Sequence, residues 1–470
     1  MSNANSQITE ADVVTWLTER VRAGLDGKSD MGLLEKAVDQ ATLECRRQAL
    51  QTLVQETATG QSLVCPRCAR NLNVEAYGRA RSVNSGVGPV RFQRDYGFCV
   101  KCGEHAYPAD VTLGLLPRAT GSPRVQEMCA LHGLRGPTGQ HAEDLRRMIG
   151  LKRDPSTIHR EARRQGERAQ GLRDADSALT QTLKGVAQLA AQAAIPLSPH
   201  TLVIQVDAWN IRERDNWGLT EVLLKKGEEL NRWHWVYTGT VFRLDQRGST
   251  AAGRPIIAER GFVATRLGLD AFRQQLYAEA LQRGLLQAEH VLVVADGAIW
   301  IWNLVEDRFK DACQRVDLYH VKGHLWALAN ELFGSGTAEA KGWVTPLLNA
   351  LERRHNGALD VIHGLEGLRL TMDQLTTQQR ASLDRELGYF NQHKNRMDYK
   401  KGKQLGQPVG SGAIESTCSQ YQRRLKLTGQ FWSLEGDEAF LALSTLHRNG
   451  RWHLLFPHDR SPTSTLRSAA

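Results

Sequence analysis

The sequence predicts a multidomain α/β protein, and three observations carry that reading. Two runs, Leu202–Val206 (apolar except for Gln205) and Val291–Ala295 (apolar throughout), lead into acids, Asp207 and Asp296, with a helical pattern between them. Two Cys-x-x-Cys pairs, Cys65/Cys68 and Cys99/Cys102, are separated by 30 residues. Long stretches on both sides of these features repeat their apolar residues at helical spacing.

The chain has 470 residues, enough for several domains and at least one large core. Its 41% hydrophobic and 24% charged content is that of a soluble globular protein. The formal net charge of +9 suits a polyanionic partner, nucleic acid first. No apolar run reaches the roughly 18 residues of a membrane span, so no membrane partner is expected. The opening MSNANSQITEADVV is polar and acidic, unlike a secretory signal. Of eight cysteines four are paired and four are scattered, which favours metal binding in a reducing cytosol over a disulfide framework.

Residues 1–60 form an N-terminal helical region. Val13, Trp16, Leu17, Val21 and Leu25 fit one helical face, and Leu34, Val38, Ala41 and Cys45 another, with Cys45 expected in a core. Residues 61–110 change character. Strand-like runs at Arg79–Val83 and Pro89–Tyr96 lie between the cysteine pairs. Two such knuckles on hairpin turns bring four sulfurs to the corners of a tetrahedron, the set a structural zinc ion takes. A redox pair needs only one Cys-x-x-Cys, and His105 is expected to be a bystander. Arg67, Arg70, Arg79, Arg81, Arg91 and Arg94 are either DNA contacts or merely solvated.

Residues 111–195 read as a helical, helix-turn-helix-like DNA-binding region. Val125–Leu134, Gln140–Ile149 and Pro155–Arg168 are three short helices separated by Gly-Pro and Lys-Arg-Asp-Pro punctuation. The third would enter a major groove with Arg160, Arg163 and Arg164; an ordinary helical subdomain is the alternative. A helix at Asp174–Ala194 then runs into the linker Ile195–Pro199.

Residues 200–325 and 406–450 form the expected core. Strand-like segments at Arg232–Leu244 and Pro255–Thr265 follow the first acidic strand. A helix at Asp270–Arg283 precedes the second. A helix with Ile299, Trp302, Val305 and Phe309 on one face comes next, then a strand at Arg315–Tyr319 ending beside His320. The order β-β-β-α-β-α-β is that of a ribonuclease H-like fold, whose first and fourth strands are neighbours, so Asp207 and Asp296 would face each other. Adjacent carboxylates repel unless a cation such as magnesium neutralises them. The candidate third acid is Glu415, one turn into a helix that starts at Gly410-Ser411-Gly412 and carries Arg423, Arg424 and Lys426 toward its other end. Residues 326–405 read as a helical insertion, basic near its end. Its acids (Glu331, Glu339, Glu352, Glu366, Asp373, Glu386 and Asp398) mostly read as exposed helix positions. Residues 451–470 form a C-terminal tail.

The pieces CPRC…CVKCG, QVDAWN, VVADGAIWIW, VDLYH and VGSGAIESTCSQYQRRLKLTGQFWS resemble the DDE-class transposases of bacterial insertion sequences. Within that class they are similar to the Mutator-like group, closest to the Kra and Lre types. The resemblance spans roughly residues 63–450; residues 1–60 lie outside it. It implies an enzyme that binds the terminal inverted repeats of its element and catalyses metal-dependent strand cleavage and strand transfer. It implies Asp207, Asp296 and Glu415 as catalytic acids, two Mg2+ (or Mn2+) ions per active site with Asp207 bridging, and one structural Zn2+. His320 would contact the scissile phosphate or hold a carboxylate; a structural histidine is the alternative. Trp432 is a candidate to stack on a flipped base. Trp209, Trp300 and Trp302 are expected in the core. The expected partners are duplex DNA at element ends and target, with a homodimer or higher oligomer on DNA, in the cytoplasm at the nucleoid. A domesticated, catalytically silent DNA-binding protein and a ribonuclease H-like nuclease without strand transfer are the competing readings.

Overall fold

A computed structural model describes residues 10–23, 25, 30–193, 199–214, 226, 232–253, 255–371 and 375–457. Residues 195–198 of the expected linker, Asp373 and the tail from residue 458 lie outside the described residues. The chain divides into two compact units, Met1–Ala162 and Arg163–Ala470.

The first unit begins with α1 (Glu10–Ala23) and α2 (Met31–Thr59). Asp30 caps α2 by accepting from the Leu33 amide. The apolar residues of these helices are largely uncovered: Val13, Trp16 and Val38 are exposed, and so is Cys45, which was expected in a core. Only the C-terminal part of α2 reaches a sheet, where Val54 and Ala58 pack with Val83 and Phe92.

That sheet has three antiparallel strands, β1 (Asn73–Ser85), β2 (Gly88–Cys99) and β3 (Glu104–Ala106). A short helix, α3 (Pro108–Thr112), brings the buried Asp110 against Arg81 (2.5 Å) and Arg94. Arg94 also lies 3.4 Å over the Tyr107 ring, and Arg79 lies 4.9 Å over Tyr96. Arg81 and Arg94 are therefore committed inside the unit rather than displayed to a polyanion, whereas Arg79 stays exposed.

The unit continues with α4 (Pro123–Arg135) and α5 (Thr138–Ile149), and α6 (Pro155–Leu179) starts within it. Ser122 caps α4, and Gly150, at φ +69°, closes α5 in the left-handed conformation that favours glycine. Val125, Cys129, Leu145, Leu151 and Ile158 bring the three helices into one small core.

In the second unit the helix expected over 174–194 is interrupted. The segment α6 ends at Leu179, Thr182 caps a new start, and α7 covers Leu183–Ala190. The strands β4 (Thr201–Glu213) and β5 (Arg232–Arg243) follow, then a small hairpin of β6 (Arg247–Ser249) and β7 (Pro255–Ile257), then β8 (Gly261–Thr265). Next come α8 (Leu269–Gln282), β9 (His290–Ala295), α9 (Ile299–Arg308), β10 (Cys313–Val316) and α10 (Leu318–Phe333). The sheet is mixed, in the order β10-β9-β4-β5-β8. Within it β10, β9 and β4 run parallel, while β5 and β8 are antiparallel to their neighbours.

Both faces of this sheet are covered, which is why its central strands read as almost wholly apolar runs, Gln205 excepted. On one face Ile204, Val206, Val241, Val293 and Ala295 meet Phe272 and Leu276 of α8 and Ile301, Trp302 and Val305 of α9. A side chain at Gly239 would stand 2.8 Å from Leu276 Cδ1, so β5 and α8 approach closely only because this residue has none. On the other face Val203, Phe242, Leu292 and Val294 form a separate cluster. Ile299, expected on the apolar face of α9, is exposed.

The helices α11 (Ala338–Arg353), α12 (Gly357–Thr371), α13 (Thr377–His393) and α14 (Tyr399–Gln404) follow. Leu325, Val344, Leu351, Val361, Leu365, Leu383 and Phe390 join them to the sheet's own core without a break. The chain then enters α15 (Gly412–Leu425) and α16 (Leu434–Arg448). Among the described residues no helix is long and apolar enough to cross a membrane.

Candidate functional site

The site begins with a register. Thr201 to Gln205 of β4 pair in parallel with His290 to Val294 of β9. Two residues further along each strand stand Asp207 and Asp296, at the same edge of the sheet. Asp207 accepts from the Ala208 amide at 2.7 Å, and its other oxygen lies 3.7 Å from the Cys418 thiol of α15. Asp296 accepts from the Ala298 amide at 2.9 Å. Gly297 between them has φ +103°, and a Cβ there would meet the Tyr389 hydroxyl at 3.0 Å. That hydroxyl donates to the Asp296 carbonyl at 3.3 Å. Burial pushes the Asp207 carboxyl above its ordinary range, and the charges of Asp296 and Glu415 push it the same way, partly offset by the Ala208 amide.

The third acid arrives on α15, and the start of that helix is tied down on two sides. Gln205, fully buried on β4, donates to the Gly410 carbonyl at 3.1 Å and accepts from the Ile414 amide at 3.0 Å. Asp317, also buried, accepts from the Ser411 amide. The Leu318 amide donates to the Val409 carbonyl at 2.9 Å. Ser411 Oγ then donates to Glu415 Oε1 at 3.2 Å. Glu415 itself is exposed. Among the described residues the four paired cysteines are the only set of three or more potential ligands whose atoms all lie within 4.8 Å. Asp207, Asp296 and Glu415 thus share one electrostatic neighbourhood without closing on one another, as expected for carboxylates that repel.

The strand expected at Arg315–Tyr319 stops at Val316. Asp317 leaves the strand and caps α10 by accepting from the His320 amide at 2.8 Å. His320 therefore sits in the first turn of a helix, exposed, with its Nε2 3.2 Å from His324 Nε2 one turn on. His324 stacks on Tyr389 (centroids 4.2 Å apart) and bonds through Nδ1 to Glu386 at 2.8 Å. Glu386 is 5% exposed, so it is not the surface helix acid its sequence context implies. Glu352 also has partners, Lys322 and Lys403. Gln205, His324 and Tyr389 escaped sequence reasoning, and Glu386 was read as an exposed helix acid. Only the His320/His324 spacing of one helical turn hinted at any of them.

The other candidates separate by burial. Arg423 is exposed. Arg424 is buried, with its guanidinium 5.1 Å over Trp432 and 4.9 Å over Phe440, and burial lowers it to about 10. Trp432 is 3% exposed and donates from its indole nitrogen to the Leu425 carbonyl at 2.9 Å. These two side chains join α15 to α16. As placed, neither is displayed to DNA, because each has spent its face or its donor inside the core. Arg160 is exposed near the start of α6. Farther along, Arg163 is paired with Glu167 (3.0 Å) and Glu435 (3.2 Å), and Arg164 is half-buried. Trp209 and Trp302 are buried, and Trp300 is half-buried against Tyr237.

In the first unit the four cysteines form a ready metal set. Cys68 and Cys99 sulfurs are 3.5 Å apart and those of Cys65 and Cys102 3.9 Å. A tetrahedral zinc with ordinary bonds asks for about 3.8 Å between sulfurs. The Arg70 backbone draws the Cys68 thiol down to about 7, while Cys102, hydrogen-bonded to Cys68, is pushed up to about 12. His105 is exposed and bonds to Glu75 at 3.2 Å, outside this set.

No protein-family model matches the chain, and no curated protein matches it in sequence. A solved structure, the Drosophila P element transposase strand transfer complex, is similar over 72% of this chain and 95% of that one, at 12% identity and a TM-score of 0.32. A likeness that loose carries no argument about this chain.

Two outcomes follow from this geometry. The purified chain is expected to hold one zinc, and Cys65→Ser or Cys99→Ser to release it, as read by elemental analysis. The raised Asp207 has a definite sign. A carboxyl held higher folded than unfolded loses stability as pH rises from the unfolded value through the folded one. Asp207→Asn is therefore expected to unfold at a higher temperature than wild type at pH 7 in magnesium-free buffer. The difference should disappear as pH falls below the ordinary aspartate range.

Proposed function

We propose that the chain is a DDE-class transposase that cleaves and joins DNA with Asp207, Asp296 and Glu415. The observation that carries the proposal is the parallel pairing of β4 and β9, which sets Asp207, within β4, beside Asp296, just past the end of β9, with the tethered start of α15 next to them. The strand order and the helices between β10 and α15 support a ribonuclease H-like core with a helical insertion at 326–405. The remaining assignments belong to the same proposal: the N-terminal helices at 1–60, a zinc ribbon-like module at 61–110, a helical DNA-binding region at 111–195, the core at 200–325 and 406–450, and the tail at 451–470.

The donor set fits magnesium or manganese: three carboxylates, all oxygen, one of them raised by burial and by the negative charge of the other two. When bound, such ions polarise the phosphate and lower the pKa of attacking water. The chain's own residues do the rest. Asp207 and Asp296 are each pinned by a backbone amide, so their carboxylates are oriented without side-chain search. The Ser411 hydroxyl orients Glu415. In cleavage, water attacks phosphorus and the 3′-oxygen leaves; in joining, the freed 3′-hydroxyl attacks a target phosphate and displaces its 3′-oxygen. No covalent protein–DNA bond is needed. His320, solvent-facing and backed by His324 and Glu386, is available to contact phosphate. Arg160 and Arg423 are exposed and offered to backbone contacts, which the net charge of +9 favours.

The test is a magnesium-dependent cleavage and joining assay on the DNA ends flanking the gene. Glu415→Gln is expected to keep zinc and DNA binding but lose cleavage by several orders of magnitude. Near wild-type cleavage by Glu415→Gln moves the third carboxylate elsewhere, with Glu386 next in line. Cleavage without joining selects the nuclease reading, and binding without cleavage selects the domesticated one.

A further inference from the structure

We propose that His320 and His324 of α10 form an exchangeable binding site for a zinc ion, separate from the four cysteines and from the three carboxylates, with Glu386 of α13 holding the inner ligand in place. The site does not depend on the transposase reading. The two histidines are one helical turn apart, so they share a face of α10. Their Nε2 atoms are 3.2 Å apart. Two imidazole nitrogens bonded to one tetrahedral zinc at ordinary length stand about 3.3 Å apart. His320 is exposed and His324 half-buried, so the pair opens to solvent and an ion can reach it.

What marks the pair as a ligand set lies behind His324. Its Nδ1 is 2.8 Å from a carboxylate oxygen of the buried Glu386. An ionised carboxylate only accepts, so Nδ1 carries the proton and Nε2 presents its lone pair toward His320. A carboxylate on the far nitrogen is the arrangement that backs metal-ligating histidines, fixing the tautomer and raising the basicity of the ligand. Tyr389 stacks on the same ring, 4.2 Å between centroids and 13° between planes, which holds the ring plane. The inner ligand is thus oriented in advance, and the exposed His320 needs only a small rotation to close on the ion. Imidazole nitrogen suits zinc and its neighbours among the transition metals, whereas magnesium takes oxygen. Two protein ligands leave the other positions to water, so the ion exchanges. His132 and His141 are another close pair, with Nδ1 atoms 3.3 Å apart, but among the described residues no carboxylate bonds to their far nitrogens. Zinc held through His320 Nε2 takes its lone pair and leaves no proton there, so zinc and a phosphate contact from that nitrogen exclude each other.

The test is isothermal titration of the full-length chain, its cysteine site already loaded, with zinc chloride in millimolar magnesium. H320N and H324N are each expected to bind one zinc fewer than wild type. E386Q, which keeps an acceptor but not the charge, should bind that zinc roughly tenfold or more weakly. H132N should match wild type, and equal unfolding temperatures before titration check the fold of each variant. His320 is exposed, so H320N stays informative even where H324N folds poorly. An unchanged zinc count in H320N overturns the site. So does loss of the ion in H132N in place of H320N, its displacement by magnesium, or full affinity in E386Q. No arm of the titration contains DNA, so the transposase reading stands or falls separately.

Discussion

Everything at the sheet edge that carries Asp207 and Asp296 depends on how the segment 409–414 is held. This loop brings α15 in from the far side of an eighty-residue helical excursion, and three side-chain or backbone anchors fix where it lands. Gln205 uses both ends of its amide, one on the Gly410 carbonyl and one on the Ile414 amide. Asp317 takes the Ser411 amide, and the Leu318 amide takes the Val409 carbonyl. Gln205 and Asp317 are buried, so each bond replaces water that is not available, and removing a partner strands a polar group in the core. The anchors also sit two residues before Asp207 and just beyond the β10 strand, so the bonds that seat α15 also register it against the sheet edge.

That tethering works against the local electrostatics. Asp207 is raised by burial and by the two other acids, so the folded chain holds negative charge together at some cost to stability. Neighbouring residues reinforce the isolation. Burial and the Asp207 charge push the Cys418 thiol well above its ordinary range, keeping it protonated as a donor. Tyr389 is held up by burial and by Asp296, so its hydroxyl also remains a donor, used on the Asp296 carbonyl. Charge is thereby left to the carboxylates alone. A site that keeps repelling groups together against their own preference is the kind that functional chemistry explains and packing does not.

Much of the sheet was legible because its central strands are apolar on both faces, so Leu202–Val206 and Val291–Ala295 stand out as runs and the acids after them as interruptions. The parallel pairing of β4 with β9 then brings the two acids to one edge. Most helices between residues 326 and 405 were legible from spacing, but α14 was not, and neither was the start of α10. There Val-Asp-Leu-Tyr looks like a strand, and only the capping geometry of Asp317 turns it into a helix start. Burial of polar residues was not legible. Glu386 and Arg424 look like surface charges because sequence spacing does not say which helix face a distant element will cover. Trp432 failed as a base-stacking candidate for the same reason, while Trp233 and Trp235, alternating along an ordinary strand, are the exposed ones. Arg81 and Arg94 looked available to a polyanion until Asp110, well beyond them in the chain, claimed both.

The central claim is that Asp207, Asp296 and Glu415 hold divalent cations at one place, and iron-mediated cleavage of the protein backbone tests it most directly. Ferrous ion in place of magnesium, with ascorbate and peroxide, cuts peptide bonds close to where it is bound. The account predicts three clusters of cuts, around residues 207, 296 and 415, all suppressed by excess magnesium. Cuts confined to other parts of the chain, or cuts at only one of these positions that magnesium does not suppress, would contradict it.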